Sequence, residues 1–203
     1  MKKYLIIVVL LVVAFPGSAL AQKAAVKTNL LYWATTTPNL GVEMRMADRF
    51  TFNLEGGYNP FTLDSDKEAN KKIKHFLVTP ELRYWFCEAF NGHFIGLNGN
   101  WSQFNVSAIE IPEIFYALNN PSGMVGMKET TRNEGWAAGA GITYGYQWIL
   151  GGRLNLEATI GLGYWYTHYD EFNNRKCGMF QQTYNRHLLG ITKCGVSLIY
   201  LIK

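Results

Sequence analysis

The chain has 203 residues, of which 48% are hydrophobic, 15% aromatic and only 17% charged, with 20 Gly against 6 Pro. Globular chains average roughly 25% charged residues, so this one is poor in charge. Its composition excludes a disordered tail, a coiled coil and a collagen-like fibre. The 19 basic and 15 acidic residues leave a net charge of +4, with no basic stripe of the kind that marks a nucleic-acid partner.

The first 21 residues read as a secretory signal peptide. Lys2 and Lys3 open it, Tyr4 to Phe15 is an unbroken apolar run, and Pro16-Gly17 breaks that run. Ala19-Leu20-Ala21 then supplies small residues for cleavage before Gln22. The 12 apolar residues are too few to span a bilayer as a helix, and no later stretch is long enough. Residues 22–203 are expected to form one exported domain with 17 basic and 15 acidic residues. Cys87, Cys177 and Cys194 show neither the spacing of a zinc site nor the number of a disulfide scaffold.

From there the dominant signal is alternation with period two, the mark of strands. Segment 26–35 is strand-like but noisy. In 39–46, Leu40, Val42, Met44 and Met46 alternate with Gly41, Glu43 and Arg45. In 50–59, Phe50, Phe52, Leu54, Gly56 and Tyr58 alternate with Thr51, Asn53, Glu55, Gly57 and Asn59. In 75–86, Phe76, Val78, Pro80, Leu82, Tyr84 and Phe86 alternate with Leu77, Thr79, Glu81, Arg83 and Trp85. Pro80 removes one ladder donor and predicts a bulge. Segment 93–106 is noisier again. In 135–148, Trp136, Ala138, Ala140, Ile142, Tyr144, Tyr146 and Trp148 face one way, with Gly, Ala, Thr and Gln opposite. In 153–167, Leu154, Leu156, Ala158, Ile160, Leu162, Tyr164 and Tyr166 oppose Arg153, Asn155, Glu157, Thr159, Gly161, Gly163 and Trp165. Segment 187–202 completes eight strands.

Short connections alternate with the long stretches 60–74, 107–134 and 168–186, apart from the brief Thr36-Thr37-Pro38. Transmembrane β-barrels have this asymmetry of short periplasmic turns and longer outside loops. The predicted fold is therefore an all-β, eight-stranded antiparallel up-and-down transmembrane β-barrel, with both termini periplasmic. The five clearest strands carry no charge on their apolar phase, whereas a water-facing surface carries charges. The opposite phase holds Glu43, Glu55, Glu81 and Glu157 with Arg45, Arg83 and Arg153. Lys193 joins them if the last strand points Leu188, Val196, Leu198 and Tyr200 outward. These eight are the expected lumen charge network: four acids facing four bases in an interior that side chains just fill. Charges buried there must pair. The aromatics form two bands. Tyr32, Tyr58, Trp101, Trp136, Tyr164 and Tyr166 lie towards the long loops. Phe50, Tyr84, Phe86, Tyr146, Trp148 and Tyr200 lie towards the short turns, as in the girdles of outer-membrane barrels.

Several stretches resemble a known family. They are Lys27-Thr28-Asn29-Leu30-Leu31-Tyr32, Thr36-Thr37-Pro38-Asn39-Leu40-Gly41-Val42-Glu43 and Gly56-Gly57-Tyr58-Asn59-Pro60-Phe61. With them go Pro80-Glu81-Leu82-Arg83-Tyr84-Trp85, Phe90-Asn91-Gly92-His93-Phe94 and Gly145-Tyr146-Gln147-Trp148-Ile149-Leu150-Gly151. Together they resemble the domain-of-unknown-function family 3575 of Bacteroidetes, over residues 25–203. The resemblance implies an outer-membrane-type barrel and no catalytic residues, and the nearness of some members to fimbrial genes implies a role at the surface. Relatives carry a second Cys beside the position of Cys177, and here that neighbour is absent.

No catalytic or nucleotide motif stands out. The Gly-rich runs lie inside strands rather than before a helix, and neither HExxH nor GxSxG occurs. No cofactor or metal is expected. His168, Asp170, Glu171 and His187 form a polar cluster where the seventh and eighth strands meet, read either as solvated loop or as a metal or lipid-enzyme site. Ile111, Ile114, Phe115 and Leu118 in 107–134 form an apolar stretch that folds into the barrel mouth, rests on lipid or binds a partner. Lys67, Lys71, Lys72 and Lys74 face outside, partly balanced by Asp64, Asp66 and Glu68. The expected function is non-enzymatic, a structural, adhesive or surface-assembly role in the outer membrane as a monomer. Its partners are outer-membrane lipid, lipopolysaccharide and a surface or fimbrial protein. The alternatives are an outer-membrane lipid-modifying enzyme and a soluble periplasmic barrel that binds a small ligand.

Overall fold

The alternating segments become strands that pair in sequence order around a closed ring. The computed structural model describes residues 24–61, 72–107, 131–173 and 178–202. It contains β1 (Ala24–Asn29), a short helix α1 (Leu30–Ala34), β2 (Asn39–Ala47), β3 (Phe50–Asn59) and β4 (Lys72–Trp85). These are followed by β5 (Gly92–Ser107), β6 (Thr131–Gly151), β7 (Leu154–Asn173) and β8 (Phe180–Ile202). Each strand is antiparallel to the next, and β1 pairs with β8 to close the barrel. The order is up-and-down throughout. An edge that pairs with the first strand leaves no backbone template exposed at that level.

The expected first strand, 26–35, ends early. Asn29 caps a helix by accepting the Leu31 N–H, and Leu-Leu-Tyr-Trp-Ala has no alternation to hold it in a ladder. At Pro80 no bulge occurs, because the β3–β4 register runs unbroken through Leu54↔Pro80. Pro80 sits exposed on the outer face and simply withholds its donor. Register shifts fall instead at Arg45/Ala47, Ile149/Gly151, Gly161/Leu162 and Glu171/Phe172.

The third of these has a consequence for β8. Gly161 pairs with Lys193 and Leu162 with Ile191, so Thr192 is the extra residue. Thr192 and Lys193 are both buried, and the phase reverses above them. Leu188 therefore pairs with inward Trp165, against the expectation that it faces out, while Val196, Leu198 and Tyr200 keep their outward phase.

The two faces of the ring are chemically inverted relative to a soluble barrel. Leu40, Leu97, Ile142 and Leu162 are 61%, 64%, 64% and 62% exposed. Glu43, Asn53, Arg83, Thr143 and Glu157 are fully buried inside. The ring is also uneven in height. β2 has 9 residues, but β6, β7 and β8 have 21, 20 and 23. The stretches expected as loop at 168–173 and 180–186 are continuous strand, so β5 to β8 rise as a tall wall beside the low β1–β2 rim.

On β7, a Cβ at Gly163 would fall on the Ala140 carbonyl oxygen and the Gly141 Cα of β6. Gly163→Ala is expected to cost about 1–3 kcal/mol through overpacking. Its readout is a lower urea midpoint at unchanged slope; an unchanged midpoint would contradict this close approach.

Candidate functional site

The lumen is filled in layers. At the short-turn end Ala25, Trp85, Ala89, Phe90, Phe94 and Ile199 form an apolar plug. Trp85 reaches inward because it sits on the polar phase of β4, and its indole N–H donates to Thr51 Oγ1 at 2.9 Å. Arg83 lies over the Phe94 ring, 4.3 Å from its centroid, and joins the plug to the charged layer above.

That layer gathers side chains from six strands. Arg83 donates to Glu81 at 2.8 Å, to Glu43 at 3.0 Å and to both Glu157 oxygens at 2.7 and 3.1 Å. Lys193 Nζ binds Glu55 Oε1 and Glu81 Oε2, each at 2.8 Å. Lys27 Nζ binds Glu43 Oε2 at 2.6 Å and reaches Glu157 Oε1 at 3.5 Å. Thr51 donates to Glu43 Oε1 at 2.5 Å, and Asn53 donates to Glu55 and Glu81 at 2.8 and 3.1 Å. Gly41 leaves the space that Lys27 crosses, since a Cβ there would strike the Lys27 Cγ.

Six of the eight expected charges meet here: Glu43, Glu55, Glu81, Arg83, Glu157 and Lys193. Two do not. Arg45 lies beside the bulge that ends β2, and its guanidinium turns to Asp48 at 2.6 Å. Arg153 precedes β7 in an exposed turn and donates to the Tyr200 phenol at 3.4 Å. Lys27 takes their place, so four carboxylates meet three cations rather than four. Its signal was present in Ala25-Lys27-Asn29, the inward phase of β1, but only six residues carry the period before the helix begins.

Above the charges lies a neutral polar layer, in which Asn98 donates to Thr143 at 2.5 Å, Asn100 to Asn98 at 2.8 Å and Thr79 to Asn100 at 2.9 Å. At the mouth, α1 sets Tyr32 against inward-facing Gly57, so Tyr32 belongs to the interior and not to the outer aromatic band. Thr37 is buried nearby, 3.3 Å from the Asn59 amide and 3.4 Å from His75 Nε2. Burial pushes the Tyr32 phenol up to about 12, and the Glu55 carboxylate adds to the rise. The fold accepts only the neutral phenol, so this contribution is intact below pH 10 and is lost as pH climbs from 10 towards 12. Tyr32→Phe should remove that part of the alkaline loss of stability. Equal losses in both proteins, read from unfolding midpoints across the window, would contradict the assignment.

At the top of β7 and β8, His168, Asp170 and His187 of the expected cluster each bond a different partner. His168 Nδ1 meets Asn185 Oδ1 at 2.6 Å, and His187 Nδ1 meets the Tyr164 hydroxyl. Asp170 accepts from Thr183 at 2.6 Å, and Glu171 lies on the other phase, opposite Asn133 and Gln182. Among the described residues no three His, Cys, Asp or Glu side chains are grouped to hold a metal. Cys87 and Cys194 are exposed and unbridged. Residues 1–21, Ile111, Ile114, Phe115 and Leu118, Lys67, Lys71 and Cys177 lie outside the described residues.

Residues 5–202 match the family model described as "Protein of unknown function (DUF3575)". The chain belongs to this family. The match covers every strand of the ring together with α1, so the charged lumen is part of a family domain rather than an appendage to one. No curated protein and no solved structure matches the chain.

Proposed function

We propose that this family member is a non-enzymatic outer-membrane β-barrel that presents its tall β5–β8 wall at the cell surface. The observation that carries the reading is the inverted ring. Among the described residues its outer face has no charged side chain between the aromatics of the two ends, and its inner face holds the charges. From Phe50 to Tyr58 the eight residue steps of β3, tilted as barrel strands are, rise about 20 Å. That is close to the apolar band of transmembrane barrels, roughly 25 Å tall. Spanning takes about 9–11 residues per strand, so the upper halves of β6, β7 and β8 extend beyond the lipid. The short turns and both chain ends then lie on the periplasmic side, and residues 1–21 serve export.

The filled lumen supports a structural or adhesive role over transport, and the interior polarity opposes an apolar ligand pocket of the soluble-barrel kind. Outer-membrane lipid and lipopolysaccharide surround the belt, and the wall offers its surface to a partner protein. In planar bilayers the reconstituted protein is expected to leave conductance at the bare-membrane level; ohmic steps would overturn the plugged-lumen reading. An altered lipid A profile in a deletion strain would overturn the non-enzymatic reading.

A further inference from the structure

At the short-turn edge of the barrel, two exposed arginines each reach sideways to a tyrosine on the outer face. Arg49, in the β2–β3 turn, donates from Nη1 to the Tyr84 hydroxyl at 3.4 Å. Arg153, in the β6–β7 turn, donates from Nη1 to the Tyr200 hydroxyl at 3.4 Å. The pairs lie on β3–β4 and β7–β8, four strands apart in an eight-stranded ring and therefore on opposite sides of it. Apolar rings flank the first pair: Phe50 and Phe86 lie 5.2 and 6.1 Å from the Tyr84 ring. Leu154 and Ile202 are exposed beside the second. The turn carboxylate next to Arg49 in sequence, Asp48, is held by Arg45 at 2.6 Å.

This chemistry fits an oxyanion at the boundary of an apolar belt. A guanidinium has five N–H donors in a planar fork that matches phosphate geometry. The bond to tyrosine uses one donor and aims the fork along the outer wall. The phenol accepts that bond and keeps its own hydrogen to donate. A free phosphate ion would have no use for the flanking rings, whereas a lipid places its acyl chains on them as its phosphate meets the fork. We infer that Arg49–Tyr84 and Arg153–Tyr200 are two docking sites for the headgroup phosphate of anionic phospholipids in the leaflet on the short-turn side. The inference rests on the membrane-spanning reading above.

The test uses electron spin resonance of the full chain in phosphatidylcholine vesicles that carry spin-labelled phosphatidylglycerol or spin-labelled phosphatidylcholine. Each basic side chain near an anionic lipid surface contributes about a fivefold preference. The wild type should therefore enrich phosphatidylglycerol about fivefold or more in its motionally restricted shell. R49Q/R153Q, which changes only exposed turn side chains, should bring the two lipids to parity. A restricted shell without preference in the wild type, or a preference that survives in the double variant, would overturn this inference alone. No restricted shell with either lipid would overturn the membrane-spanning reading and the inference with it.

Discussion

Replacing Arg83 with methionine is expected to lower the unfolding free energy by about 3–5 kcal/mol, the range for breaking a buried ion pair and stranding its partner charges. Arg83 holds Glu43, Glu81 and Glu157, which stand on β2, β4 and β7. All four of these side chains are sealed from solvent. Methionine keeps the length and some of the contact with Phe94 but leaves three carboxylates with only Lys27 and Lys193. The control is Arg45→Met. Arg45 shares the polar phase and the residue type, yet its partner Asp48 is 97% exposed at the side chain. An exposed pair contributes about 0–1 kcal/mol. Urea unfolding in detergent micelles, followed by tryptophan emission, separates the two. Equal losses from both substitutions would contradict the buried network.

The second large effect concerns the outer face. Ile142 lies midway between Trp136 and Trp148 on β6 and is 64% exposed. Arginine at the midplane of a lipid-facing strand costs about 2–4 kcal/mol. On a water-facing strand the same change stays within about 0.5 kcal/mol. Ile142→Arg is therefore expected to lower stability in lipid vesicles by the larger amount. A change inside the smaller range would place that face in water.

Much of this fold was legible in the sequence because the side chains of a strand alternate between two unlike solvents, and a strict period survives wherever those solvents differ. The runs Gly135 to Trp148 and Arg153 to Tyr166 were readable for that reason. Position along the strand axis was not, because the period reports a face and says nothing of depth. Arg45, Arg83 and Arg153 share one phase. Only the three-dimensional ends of β2 and β7 carry the outer two away from the lumen. Lys27 was hidden by the brevity of β1 and by the helix cap at Asn29. The inward position of Leu188 is hidden because the bulge at Thr192 exchanges the faces of β8. The tall upper strands look like loops in the sequence for a different reason. In 168–173 and 180–186 polar residues fall on both phases, so the alternation that would reveal a strand disappears.

An apolar outer face that meets lipid and a charged lumen that closes the interior would make this an integral membrane protein with a heat-sensitive fold. The most direct measurement is extraction of the native protein from isolated membranes, followed by gel migration with and without boiling. The protein is expected to stay in the membrane pellet through high salt and alkali and to leave only with detergent. It is also expected to migrate faster unboiled than boiled, since a closed ring stays folded in mild detergent. Release by alkali without detergent, with one mobility in both lanes, would contradict the membrane-spanning reading.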